Sequence, residues 1–172
     1  YTVGTYEDIT PGIFHKLTGA ISSQGLRILS AEINTLGDQL VLDRFLVEDP
    51  DFVDEPPPER LANVSRALVD ALKDESGKPP AFRRVWGKKS GPTAEELSQN
   101  PTVIRLDTHT SDKQTIIDVF TLDQMGLLYA ITRTLFELGL NVSVAKIGTH
   151  LDQVVDVFYV TDLNGRKITD EQ

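Results

Sequence analysis

The sequence predicts an α+β chain in which one small βαββαβ unit occurs twice. Three observations carry this: an internal repeat, the same succession of periodicities in both copies, and glycines at matching places. Residues 12–41 laid over 126–155 at a constant offset of 114 pair Gly12 with Gly126, Gly25 with Gly139, Ala31 with Ala145, Ile33 with Ile147 and Val41 with Val155. After a one-residue slip the match resumes at an offset of 113, with Asp43/Asp156, Phe45/Phe158 and Val47/Val160. So long a period means one domain present twice, not a solenoid.

The elements follow in order. Thr2 to Glu7, and Thr115 to Thr121 in the second copy, are β-branched and aromatic runs and read as strands. From Gly12 the apolar residues Ile13, Leu17, Ala20 and Ile21 recur at helical spacing. From Gly126 so do Leu127, Leu128, Ile131, Leu135 and Leu138. Each helix stops at a glycine, Gly25 or Gly139, where a left-handed C-cap residue belongs. Two hairpins follow: Leu26 to Thr35 with Leu40 to Val47, and Leu140 to Thr149 with Val154 to Thr161. After the acidic, proline-rich bend Asp49 to Pro58, the residues Leu61, Val64, Leu68, Ala71 and Leu72 mark a second amphipathic helix. Phe82 to Trp86 is predicted to be a short final strand.

This order is that of tandem ferredoxin-like units, each an antiparallel sheet with helices on one face. The expected division is a first domain over 1–86, a linker over 87–100 rich in Lys, Ser, Gly and Pro, and a second domain over 101–172. A further strand, Thr102 to His109, is expected to form a hairpin with Thr115 to Thr121. The second copy reaches Gln172 where its second helix is due, and the chain opens at Tyr1 without a Met. Both features suggest an excised fragment whose second sheet keeps one covering helix or borrows another from a second chain.

Composition narrows the function. Seventeen Lys and Arg against 26 Asp and Glu give a net charge of −9, the wrong sign for neutralising a phosphate backbone, so nucleic acid is not an expected partner. There is no cysteine, hence no disulfide framework, thiolate metal site or Cys nucleophile, in keeping with a cytoplasmic protein. No apolar run approaches the roughly 20 residues that span a bilayer, and no membrane partner is expected.

Catalytic motifs are missing. There is no phosphate loop or dinucleotide fingerprint, and His15, His109 and His150 stand singly, without metal-ligand spacing. The basic run Arg83 to Lys89 reads best as ion-pairing groups in an acidic chain. What remains is Gly12 and Gly126 at two helix starts. There, unpaired N–H groups and the helix dipole favour an anion such as a carboxylate, and the missing Cβ lets a ligand come close. Glycine serving only the turn is the plain alternative.

Several segments resemble the ACT domain, a regulatory module that binds amino acids: Asp123-Gln124-Met125-Gly126-Leu127-Leu128, Thr10-Pro11-Gly12-Ile13-Phe14, and Leu135 through Ile147. With Asp152 through Asp162, the chain resembles the C-terminal tandem ACT region of the bifunctional uridylyltransferase and uridylyl-removing enzymes of bacterial nitrogen control. That resemblance implies a sensor of glutamine joined to upstream catalytic domains that modify the PII signal protein. The parent family uses UTP and a divalent metal such as magnesium in those domains. This fragment, lacking their motifs, is expected to have no catalytic residue, metal or cofactor of its own.

Carried over by residue, the resemblance implies that Gly126 and the amides of Leu127 and Leu128 hold the glutamine carboxylate, that Asp123 pairs with the ammonium, and that Asn141 bonds at the same mouth. The first copy departs: Ile9 matches Asp123, Asp8 stands one residue earlier, and Arg27 replaces Asn141. Asp8, Gly12 and Arg27 remain secondary candidates, since Arg can clamp a carboxylate. ACT pairing also implies ligands at a domain interface and a possible homodimer. The competing expectation is a structural or oligomerisation module that binds no small molecule.

Overall fold

The computed structural model describes residues 1–6, 12–35, 40–82, 92–150 and 153–169. Its elements run β1 (Thr2–Tyr6), α1 (Ile13–Ser23), β2 (Arg27–Thr35), β3 (Leu40–Glu48), α2 (Pro58–Lys73), α3 (Ala94–Gln99), β4 (Val103–Asp107), β5 (Thr115–Leu122), α4 (Leu127–Glu137), β6 (Asn141–His150) and β7 (Gln153–Thr161). They form two antiparallel sheets, ordered β1-β3-β2 and β4-β5-β7-β6. The triplet β5-β7-β6 repeats the order of the first sheet, and β4 is added outside it as the expected hairpin partner of β5.

The repeat extends to fine geometry. Both β2 and β6 carry a bulge, at Ile28/Ser30 and Val142/Val144, which are equivalent positions. Both helices end in a Schellman motif: Leu26 N–H donates to Ile21 O and Gly25 N–H to Ser22 O, while Leu140 and Gly139 do the same to Leu135 and Phe136. Gly25 and Gly139 take φ of 80° and 70°, which explains glycine at those ends.

One expectation is amended and another falls largely outside the described residues. The expected linker contains α3, set by a capping box in which Thr93 Oγ1 accepts from Glu96 N–H and the Glu96 carboxylate accepts from Thr93 N–H. Of the strand expected over Phe82 to Trp86, only Phe82 lies within the described residues, in irregular backbone; the basic run also falls outside them. The hairpin turns at 36–39 and 151–152 are likewise outside.

The core lies between sheets and helices. Leu17, Ile21 and Phe45 of the first copy and Phe158 and Val160 of the second are almost wholly buried. Helix α2 covers α1 through Val64 and Leu68, and Arg60 fixes it, donating to Gln24 O and to the Asp49 carboxylate, both at 2.7 Å. On the second sheet, the residues of β4 that pair with core-facing Ile117 and Val119 are Leu106 and Ile104, and these are 68% and 62% exposed. Beside buried neighbours on β5, the apolar side of β4 is therefore open among the described residues.

The copies meet along α1 and α4, with β2 beside β6. The helices run antiparallel: Gly12 meets Phe136, Thr18 meets Thr132 and Gly19 meets Tyr129. Thr18 and Thr132 are repeat equivalents, so their hydroxyl contact, 3.1 Å and fully buried, marks a local twofold axis. Thr132 also donates to Leu128 O at 2.8 Å, so its hydroxyl stays paired without Thr18; Thr18→Val should therefore cost about 0.5–1.5 kcal/mol of unfolding free energy, and Thr18→Val/Thr132→Val should cost less than the two single losses summed, as measured by urea denaturation.

A second matched pair lies deeper. Asp43 and Asp156 are 0% and 1% exposed, on the core side of β3 and β7, alternating with Phe45 and Phe158. Burial pushes the Asp156 carboxyl up to about 7, the Gly148 N–H at 3.4 Å opposes the rise, and the charge of Asp123 adds to it. The folded chain therefore holds a proton there that the unfolded chain releases near pH 4, so this group makes stability fall as pH rises from about 4 to about 7. Chemical denaturation should show this contribution, on the order of 1 kcal/mol per pH unit, across that window. Asp156→Asn should flatten it and raise stability at pH 8.

Candidate functional site

The starts of α1 and α4 are each formed by a glycine in a left-handed turn. Gly12 and Gly126 adopt φ of 73° and 77°, left-handed values that an L side chain resists, and neither helix has a side-chain cap or an acidic residue in its first turn. The local turn already uses one of the expected donors: Leu127 N–H donates to Gln124 O at 3.0 Å. Leu128 sends its side chain into the core, so only its backbone is available to a ligand.

The space left by the missing Cβ atoms is filled by rings. A Cβ on Gly126 would lie 2.9 Å from Cζ of Phe82, a residue of the first copy. A Cβ on Gly12 would meet Nδ1 of His15 at 2.6 Å and Cδ2 of Phe136, from α4 of the second copy, at 3.1 Å. The His15 ring lies 4.8 Å from that of Phe136 and 6.3 Å from Tyr129, and its Nδ1 is buried without a hydrogen-bond partner among the described residues. Burial, then Lys16 and Arg133, lower its pKa and keep it neutral near pH 7.

The register separates residues that the resemblance groups together. Leu122, just before Asp123, pairs with Gln153 at one end of β7, whereas Asn141 pairs with Thr161 at the other end. Seven strand residues intervene, so the two ends are eight steps or roughly 25 Å apart. Asn141 therefore does not share a mouth with Asp123 and Gly126, because α4 carries the chain to the far end of the sheet before β6 begins. It follows the end of α4, where Phe136 faces Gly12 of the first copy.

What approaches Asp123 instead is Arg27, the residue equivalent to Asn141. Arg27 Nη2 lies 3.8 Å from Asp123 Oδ2, while its Nη1 donates to Glu48 at 2.9 Å. The twofold thus sets each helix start against the other copy: Asp123 and Gly126 with Arg27 and Phe82, Gly12 with Phe136. Asp8 lies outside the described residues. The rings of Phe82, Phe136 and His15 gave no signal in the sequence beyond the glycines that make room for them.

Elsewhere, a cleft of about 710 Å³ between the β4–β5 turn and the segment after β7 is lined by Ser111, Lys113, Gln114, Ile116, Tyr159 and Thr161. It contains none of the predicted residues. No helix is long and apolar enough to cross a membrane, and no three His, Asp or Glu side chains form a metal-binding group, among the described residues.

Residues 103–172 match the family model described as an ACR9-like, ACT-like domain. Over 94% of its length the chain is 35% identical to a bifunctional uridylyltransferase/uridylyl-removing enzyme of Rhodospirillum rubrum. Enzymes of the same description from Gluconobacter oxydans and Azospirillum brasilense are each 34% identical over 93% of it. The chain spans 17% of the length of each of these relatives. No solved structure matches it. With two sheets of matching strand order, a second copy that matches an ACT-like family model and similarity running along nearly its whole length, the chain is similar to a portion of the bifunctional uridylyltransferase/uridylyl-removing enzymes.

Proposed function

We propose that this chain is a regulatory amino-acid sensor, with glutamine as its ligand, serving catalytic domains that add uridylyl groups to the PII protein and remove them. The observation that carries the reading is the placement of Asp123 and the α4 start together at the boundary between the copies. A carboxylate beside the positive end of a helix is complementary to the two charged ends of an α-amino acid. Because the site lies between copies, occupancy is coupled to their relative position, and a coupling of about 1–3 kcal/mol is enough for a regulatory effect. The catalytic steps, with UTP and magnesium, belong to other domains of the parent enzyme, in the cytoplasm.

A second reading, a structural or oligomerisation module, is favoured by the rings already seated on both glycines and by the open apolar side of β4. Calorimetry with L-glutamine up to several millimolar separates the two readings, with L-glutamate and L-asparagine as controls. Sensing predicts saturable, glutamine-selective heat at sub-millimolar to millimolar affinity, about −4 to −6 kcal/mol. Asp123→Ala should abolish that heat while leaving the unfolding midpoint and the mass in solution unchanged. Absence of heat with the intact chain would favour the structural module.

A further inference from the structure

We propose that the first copy acts as a built-in competitor at the second copy's site: the Arg27 guanidinium stands at Asp123 where a ligand's ammonium would go, and Phe82 covers Gly126, so a ligand must displace both. This rests on the reading of Asp123 and Gly126 as a ligand site.

The geometry favours an exchangeable latch. Arg27 has two carboxylate partners, the nearer being Glu48, its register neighbour on β3, at 2.9 Å, and the farther Asp123, at 3.8 Å. An ammonium arriving at Asp123 takes over the longer contact, and Arg27 keeps its bond to Glu48, so no charge is stranded. All three side chains are partly exposed, which keeps the exchange within reach of solvent and the latch weak. Phe82 lies in irregular backbone, its ring 5.6 Å from that of Tyr129 in an edge-on contact, so its departure breaks no strand ladder. The latch belongs to one site only, since the position equivalent to Asp123 is Ile9 and that equivalent to Arg27 is Asn141. Ligand entry would therefore release contacts that tie the copies together, turning occupancy into a change in their packing.

The test is calorimetry of the 172-residue chain with L-glutamine, comparing Arg27→Ala, Arg27→Lys, Phe82→Ala and the Arg27→Ala/Phe82→Ala pair. Removing a partly exposed competitor should tighten binding about two- to five-fold for Arg27→Ala. Arg27→Lys should stay near the parent value, and the double variant should bind tightest. The Gly126 amide resonance provides a second readout: it should move when glutamine expels the ring and should start displaced in Phe82→Ala. Unchanged or weaker binding in Arg27→Ala, with binding still lost in Asp123→Ala, would overturn the latch and leave the sensor reading intact. No binding in the parent chain or the double variant would overturn both, whereas binding in the double variant alone would establish the latch. If Phe82→Ala proves unfolded by its melting curve, the surface variant Arg27→Ala still decides.

Discussion

The antiparallel packing of α1 on α4 is the contact from which the rest of the arrangement follows. Its centre is the buried hydroxyl pair Thr18 and Thr132, two repeat-equivalent residues meeting across a local twofold. Each hydroxyl also has a carbonyl of its own helix within bonding distance, so neither is stranded, and the cross-helix contact adds about 1 kcal/mol that is lost when one helix slides on the other. With the helices fixed in that register, Gly12 must lie against the end of α4, and Arg27 must come up beside Asp123. Each helix start is thereby completed by the other copy.

Charge and burial reinforce the same boundary. The Arg27–Asp123 contact crosses it in partly exposed surroundings, where an ion pair is weak and readily exchanged. Asp156, by contrast, is buried on the core side of β7 in a setting that favours its neutral form, and it senses the charge on Asp123. A cation at Asp123, whether guanidinium or ammonium, offsets the charge that raises the Asp156 pKa. The electrostatics of the candidate site thus reach into the core of the second copy, although no side-chain hydrogen bond is described between the two carboxyl groups.

Much of the fold was legible before any coordinates. The repeat is visible because the core residues of both copies, such as Ile33 with Ile147 and Phe45 with Phe158, face the same demands at the same register. The helix ends are visible because Gly25 and Gly139 adopt backbone conformations that other residues resist. Helix α3 was missed because its six residues show no apolar period, and only the Thr93–Glu96 capping box marks it. Asn141 was misplaced for a different reason. Its position in the sequence, just after a helix that starts at the site, does not reveal that the helix itself carries the chain to the other end of the sheet.

The sequence by itself determined the local elements, their order and their doubling, because periodicity, turn glycines and capping residues act over a few neighbouring positions. It also determined which residue types could meet a charged small molecule, through Asp123 and the glycine at each helix start. Tertiary structure alone decided which of these residues share a site. Arg27 and Asp123 are 96 positions apart, and Phe82 and Gly126 are 44 apart. Their meeting depends on the packing of one copy against the other, a surface-to-surface fit that no short-range pattern encodes.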